Sequence, residues 1–308
     1  MNTLFAITEN YLDYCKTQKR LDPKTLKAYR TDLCQFISFF DNSYIYATSI
    51  SISDIEKYIS YLHQNFKPKT AKRKLASIKS FYHFLEYKDF IEQNPFNKIK
   101  TKFREPVILP KTIPLYIIET LLATMYNEFS LAHTPYRKKR ILLDIAICET
   151  LFSTGMRISE LCNLKSTDVE LHDATIRIFG KGSKERIIQL GNKDVIMLLE
   201  KYENEYKTEI SKSGYFFVNS NATPISDQAI RRMIKKYCSL ATIDLHITPH
   251  MFRHTFATSL LEADVDIRYI QEMLGHSSIT VTEIYTHVAL SKQRDILTAK
   301  HPRQNFKI

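Results

Sequence analysis

Glycine is scarce: six residues in 308, roughly a quarter of the usual share of about 7 per cent. That shortage excludes a turn-rich all-β chain, whose tight hairpins and bulges draw on glycine. Residues 1–154 contain none, so this part is expected to be mostly helical. Tryptophan is absent, and the five cysteines (Cys15, Cys34, Cys148, Cys162 and Cys238) are odd in number with no C-x-x-C spacing. Neither a disulfide framework nor a zinc site is indicated, and a reducing cytoplasm suits such a chain. No basic stretch followed by an apolar run opens the sequence, and no window approaches the roughly 18 apolar residues of a membrane span. Neither secretion nor membrane insertion is expected.

Acidic residues are outnumbered, 33 against 44 Lys plus Arg, for a net charge of +11. Both parts of the chain share the surplus: residues 1–105 carry 18 basic and 11 acidic residues, and the remainder 26 and 22. A basic chain of ordinary charge content points to a polyanionic partner. Hydrophobic residues at 44% and aromatics at 12% are enough to fill real cores, and the length fits about two domains of roughly 100–200 residues.

Apolar residues recur at helical spacing from the start, with Leu4, Ile7, Tyr11, Leu12 and Cys15 on one stripe. Asp22-Pro23 opens a second helix whose apolar face runs from Leu26 to Phe40, the acid as N-cap and proline where its missing N–H costs nothing. Ser53-Asp54-Ile55-Glu56 reads as a capping box for a third helix, and Pro68 starts a fourth that ends near Glu86. Asn94-Pro95 stops this helical region. Lys98, Lys100, Lys102 and Arg104 follow, with Pro106, Pro110 and Pro114 close behind, a basic, proline-stiffened linker that is either a solvated connector or a segment crossing a phosphate backbone. Helices are expected again at about 115–128, 137–153 and 158–164. The pattern then alternates, with strands at 175–179 and 186–190 around Gly180-Lys181-Gly182 and a third short strand at 215–218. Helices resume at about 226–240, 250–263, 266–274 and 277–288.

Four motifs carry possible chemistry, and each alone has a bland alternative. Arg157, just after Gly155 at a helix start, could hold an anion or simply pair with Glu160. Lys181 at the hairpin tip is either solvated or free to reach a ligand. His250 and Arg253, three apart, share a helical face, while His276 follows Gly275 at a helix boundary and Tyr285 lies nine residues on. No carboxylate or cysteine completes a metal-ligand set with the histidines. Together, two arginines, a lysine and two histidines could surround one phosphodiester and neutralise the charge on its transition state, with a tyrosine as nucleophile. Its phenol has a reference pKa of about 10, so nearby cations or an imidazole must help it lose its proton.

These residues in their contexts, TGMRISEL, GKGSKER, HMFRHTFAT, LGHSS and IYTH, with HPR at 301–303, resemble the tyrosine recombinase (phage-integrase) family, and within it the short, two-domain Xer-like proteins. The resemblance spans nearly the whole chain. It implies a mainly α fold with a small β-sheet: a helical N-terminal DNA-binding (SAM-like) domain over 1–97, a basic linker over 98–114, and an α+β catalytic domain over 115–308 whose tail, with a helix around Leu290–Leu297, docks on a neighbouring protomer. Tyr285 is expected to attack a scissile phosphate and form a 3′-phosphotyrosyl link. Arg157 and Arg253 would hold the non-bridging oxygens, Lys181 would protonate the leaving 5′-oxygen, His250 would assist the tyrosine's proton transfer, and His276 would hydrogen-bond the phosphate.

The covalent link conserves the phosphodiester energy, so no cofactor or metal is expected. A homo- or hetero-tetramer on two duplexes would complete the exchange through a Holliday junction, from protomers that are monomeric free in solution. An accessory protein or DNA translocase is a further conceivable partner, and the nucleoid of a bacterial cytoplasm the expected location. DNA contacts are expected from Lys72, Arg73, Lys74 and Lys79, from the linker cations, and from Arg231, Arg232, Lys235 and Lys236, although each cluster could also be a solvated face. The biological task, dimer resolution or integration, excision or inversion of a mobile element, is left open. Alternatives are a type IB topoisomerase-like nicking-closing enzyme and a non-catalytic DNA-binding regulator. Four of the six glycines adjoin Arg157, Lys181 or His276, an arrangement that close backbone approach to DNA phosphate would explain.

Overall fold

The computed structural model describes residues 3–40, 46, 50–99, 110–180 and 185–275. The chain divides into two compact units, 1–107 and 108–308.

Among the described residues the first unit has four helices, α1 (Leu4–Thr17), α2 (Pro23–Ser38), α3 (Ile52–Asn65) and α4 (Pro68–Tyr87), followed by a 3-10 turn at Pro95–Lys98. Their apolar stripes close on one core that includes Leu4, Tyr11, Phe36, Tyr58, Tyr82 and Leu85. Aromatic edges do the filling: the Phe36 and Tyr58 rings meet 4.9 Å apart at 82°, and Tyr11 lies 5.2 Å from Phe81, a geometry favoured by the ring quadrupoles. The α2 start is as its sequence predicts, with Asp22 accepting from the Thr25 N–H at 3.0 Å ahead of Pro23. The α3 start differs. Its capping box is Ser51 with Asp54 rather than Ser53 with Glu56. The earlier register places Ile50 before the cap and Ile55 at the fourth helical position, both buried, which forms the apolar staple that the later register would lose.

The second unit begins with α5 (Leu115–Ser130) and α6 (Pro135–Thr154). Residues 141–148 of α6 are all buried, so this helix is the axis of the unit. After α7 (Ile158–Cys162) come β1 (Val169–Glu170), β2 (Thr175–Phe179) and β3 (Glu185–Gln189), an antiparallel sheet in that order with Arg177 opposite Ile187 and Phe179 opposite Glu185. The third strand is therefore β1, not 215–218. Phe216, Phe217 and Val218 are fully buried, but their backbone is held by a side chain: Tyr202 Oη donates to the Phe216 carbonyl at 2.9 Å and accepts from the Val218 N–H at 3.1 Å. Single bridges, Lys165 to Tyr215 and Val218 to Pro224, are all the pairing this segment has.

Helices α8 (Lys193–Glu205) and α9 (Lys207–Ser213) were not anticipated from sequence, although Asn192 caps α8 from the Asp194 and Val195 N–H groups. The unit ends with α10 (Asp227–Leu240), α11 (Pro249–Glu262) and α12 (Ile267–Leu274). The helix expected at 277–288 and the tail helix around 290–297 lie outside the described residues. Among the described residues no helix is long and apolar enough to cross a membrane.

One buried charge tests this packing. Asp144 of α6 accepts from Tyr237 Oη of α10 at 3.0 Å, yet burial dominates over that bond and over Lys236 and Arg140, and pushes its carboxyl up to about 6 from an ordinary 3.8. The folded chain thus binds the proton more tightly than the unfolded chain. Stability is expected to fall as pH rises from about 4 to 6 and to stay reduced above, by roughly 2–3 kcal/mol. Asp144→Asn keeps an acceptor for Tyr237 and should gain about 2 kcal/mol at pH 7.5 but little at pH 4, as read by denaturant melts at both pH values.

Candidate active site and nucleic-acid interface

Arg157 is the N-cap of α7. Its backbone N–H donates to Glu160 Oε2 at 2.8 Å, and its Nη1 donates to Glu160 Oε1 at 2.7 Å. The Arg157–Glu160 ion pair, one of the two readings open from sequence, is therefore real. It does not bury the arginine, whose side chain is 34% exposed. Glu160 is almost enclosed. Burial alone would raise its carboxyl, but hydrogen bonds from Arg186 and from the Arg157 backbone and side chain outweigh that and hold it below the usual range.

Arg253 is held quite differently. It is 4% exposed on the second turn of α11, with Nη1 donating to the Gly155 carbonyl at 2.9 Å and Nη2 to the Leu274 carbonyl at 2.7 Å. Gly155 is the C-cap of α6 and Leu274 the last residue of α12. The guanidinium thus sits between the C-terminal ends of two helices, where the unpaired carbonyls carry partial negative charge. Two of its five N–H donors are used on these carbonyls.

His250 is exposed on the first turn of α11. Its imidazole is held below the ordinary 6.5, first by partial burial and then by Arg231, Arg253 and Arg157, with Asp227 pulling the other way. The ring is therefore neutral at neutral pH, able to accept a proton. Arg253, one turn on from His250, is itself bonded to the Gly155 carbonyl, two residues before the α7 cap Arg157. Removing a cation favours the protonated form, so Arg231→Ala should raise the His250 pKa and Asp227→Asn should lower it; an NMR titration of the ring reads both.

Both α6 and α12 end in a left-handed glycine, Gly155 at φ +58° and Gly275 at φ +63°. A Cβ on Gly155 would lie 2.5 Å from Phe256 Cδ1, and one on Gly275 would lie 3.0 Å from Arg186 Cδ. These two glycines thus have intramolecular reasons, a helix stop and close packing, in place of the approach to phosphate expected from sequence. Lys181, Gly182, His276 and Tyr285 lie outside the described residues.

The cations of α10 form a stripe. Arg231, Arg232, Lys235 and Lys236 are all exposed while Ile230, Met233, Ile234 and Tyr237 are buried. Arg231 is tied to Asp227 at 2.7 Å, and Arg231, Arg232 and Lys235 line a 660 Å³ groove with His246 and Thr248. In the first unit, Lys72, Arg73 and Lys98 are exposed and Lys79 half-buried, the last with its ammonium 5.9 Å from the Phe96 ring centre.

Lys74 corrects the expectation of a surface cluster. It is 4% exposed, donates to Asp32 Oδ1 at 3.2 Å and to Gln35, and lies over the Phe66 ring at 4.8 Å. One residue beyond Arg73 on a helix is a turn of about 100°, which carries this side chain from the surface to the core and its partner Asp32. Arg73, half exposed, forks the same carboxylate. Lys100, Lys102 and Arg104 lie outside the described residues.

Two further charged residues shape the surroundings of Arg157. In the sequence Glu160 figures only as a competitor for Arg157, and Arg186, within GKGSKER, has no role assigned to it. Arg186, with a side chain 8% exposed, donates to both Glu160 oxygens at 3.2 and 2.8 Å and through Nε to the Met273 carbonyl at 2.8 Å. Its position on the half-buried side of β3 was the available signal.

Residues 118–292 match the phage integrase family, and residues 8–88 match the phage integrase N-terminal SAM-like domain. A tyrosine recombinase of Agathobacter rectalis is 62% identical over 99% of both chains. The XerD tyrosine recombinase of Listeria monocytogenes is 35% identical over 96% of this chain and 99% of its own. In fold, the chain is similar to the XerH site-specific recombinase bound to palindromic difH substrate, with a TM-score of 0.70, 21% identity and coverage of 95% of this chain and 84% of that one. The chain belongs to the phage integrase family, as a tyrosine recombinase that cuts and rejoins DNA.

Proposed function

We propose that the catalytic set is Arg157, Lys181, His250, Arg253, His276 and Tyr285, and that it performs a transesterification on a DNA phosphodiester. What carries this reading is that Arg253 Nη1 reaches the Gly155 carbonyl, two residues before Arg157, so that the turn of α11 bearing His250 and Arg253 is held against the α7 cap. Tyr285 forms an oxygen–phosphorus bond as the bond from phosphorus to the 5′-oxygen breaks. His250 takes the phenolic proton and Lys181 supplies one to the leaving oxygen, so charge balances at each oxygen. The two guanidiniums meet the charge that grows on the non-bridging oxygens, where preorganised donors act most strongly. A 5′-hydroxyl from a second strand reverses the step.

The division into a helical DNA-binding domain (1–97), a basic linker (98–114) and a catalytic domain with a protomer-swapping tail (115–308) fits this work. Arg231, Arg232, Lys235 and Lys236 offer an exposed cationic helix face to a duplex, and Lys72, Arg73, Lys79 and the linker cations a second one. We assign the complete exchange to four protomers on two duplexes in the bacterial cytoplasm.

The experiment starts from a pool of random-sequence duplexes, from which the protein selects its site, followed by a nicked version of that site. A covalent protein–DNA adduct should accumulate, because the cut fragment diffuses away and cannot be rejoined. Tyr285→Phe should form none. An adduct with that variant would overturn the nucleophile assignment.

A further inference from the structure

We propose that Arg186 sets the charge of the Arg157 site through the carboxylate the two share, and thereby how strongly that site holds a phosphodiester. The inference deepens the reading of Arg157 as a phosphate-holding residue and rests on it. Each oxygen of Glu160 serves both arginines: Oε1 accepts from Arg157 Nη1 at 2.7 Å and Arg186 Nη1 at 3.2 Å, and Oε2 accepts from the Arg157 N–H at 2.8 Å and Arg186 Nη2 at 2.8 Å. Guanidinium stays charged at any accessible pH, and Glu160 is held ionised. The cluster therefore carries two positive charges and one negative.

The geometry divides the labour between the two arginines. Arg186 is enclosed, at 8% exposure, and its third bond, to the Met273 carbonyl, fixes the plane of its fork. Arg157 is the exposed member, and it lies on the wall of a 480 Å³ groove with Asn163, Asp168 and Arg177. Of the two arginines on Glu160, only Arg157 lines this groove. Were Glu160 paired with Arg157 alone, an anion there would meet a neutral pair. Because Arg186 takes half of the carboxylate's hydrogen bonding and offsets its charge, the cluster keeps a net positive charge that is expressed at Arg157. Arg186 is thus a positioning residue that acts through Glu160, and it touches no substrate.

The charge count makes an unusual prediction. Arg186→Gln leaves a cluster of net charge zero, and adduct formation at saturating protein on the selected nicked duplex should slow about 100-fold, in the range found when one preorganised donor is lost. Adding Glu160→Gln restores the net charge to that of the parent and keeps an acceptor for the Arg157 N–H. The double variant should therefore recover at least about tenfold of the loss, a gain that a merely structural role for Arg186 would not produce. Arg186→Lys, which keeps the charge, should lose less than about tenfold.

Thermal melts establish that each variant is folded. A folded Arg186→Gln that cleaves within twofold of the parent, or a folded double variant no faster than Arg186→Gln, overturns the proposal. Should Arg186→Gln not fold, the double variant decides alone, since it buries no unpaired charge: a rate within about tenfold of the parent supports the proposal, and any slower rate overturns it. Arg157→Ala separates the two levels of argument. If it cleaves like the parent, the phosphate-holding role of Arg157 falls and the proposal with it; if it is inactive while Arg186→Gln is unimpaired, the proposal alone falls.

Discussion

Arg253→Ala is expected to abolish strand cleavage, by about a thousandfold or more, and also to destabilise the second unit by about 3–5 kcal/mol. The second effect follows from its two hydrogen bonds from a charged group to buried carbonyls, each worth about 1.5–3 kcal/mol, at the ends of α6 and α12. Alanine would leave the Gly155 and Leu274 carbonyls without these donors and would open a cavity between the two helices. Arg157→Ala should behave in the opposite way. It too should slow cleavage, by about a hundredfold or more. Its side chain is one-third exposed, however, and Arg186 remains on Glu160, so stability should change by only about 1 kcal/mol. DNA binding should be largely kept in both folded variants, since many other cations hold the phosphate backbone. Denaturant melts beside single-turnover adduct assays separate the two arginines. Equal stability losses would show that the two-carbonyl seat of Arg253 does not carry the weight assigned to it.

Gly155→Ala should be nearly as damaging without touching any charged group. At φ +58° an L side chain costs about 1–2 kcal/mol, and a Cβ 2.5 Å from Phe256 Cδ1 and 3.1 Å from Leu274 Cδ2 must displace a ring or a helix end, which adds about 1–3 kcal/mol. A total of about 2–5 kcal/mol is expected. The shift would bear directly on the site, because the Gly155 carbonyl is one of the two groups that orient Arg253. Gly191→Ala and Gly214→Ala are useful comparisons. Among the described residues no atom outside the chain neighbours lies within 4 Å of the added carbon at either position, so Gly191→Ala should be mild, while Gly214→Ala at φ +72° should incur only the backbone cost. A loss at Gly155 no larger than at Gly214 would exclude the packing contribution.

Much of this was legible because it is local. The helix starts at Asp22-Pro23 and Pro68, the alternation of 175–179 and 186–190, the latter one residue later than β3 itself, and the amphipathic stripe of α10 all follow from periodicity and from caps that lie within four residues of what they bind. Where such signals misled, a wider context decided. The α3 box moved because Ile50 and Ile55 had to be buried together. The 215–218 run became core rather than sheet because Tyr202 reached its backbone. Helices α8 and α9 were passed over even though Asn192-Lys193-Asp194 marks a start.

The sequence by itself determined the kind of fold and the order of the chemical groups: few glycines and long helical periods exclude a β-rich chain, and Arg157, Lys181, His250, Arg253, His276 and Tyr285 stand in one order within recognisable contexts. Only the tertiary structure decided which charges are available. It buried Lys74 against Asp32, 42 residues away, seated Arg253 on carbonyls 98 and 21 residues distant, and divided Glu160 between an exposed arginine and a hidden one. The physical reason is that a side chain's charge type is written at its own position. Its desolvation and its partners are set by segments remote in sequence, and these decide whether an arginine binds an anion, holds a helix or tunes its neighbour.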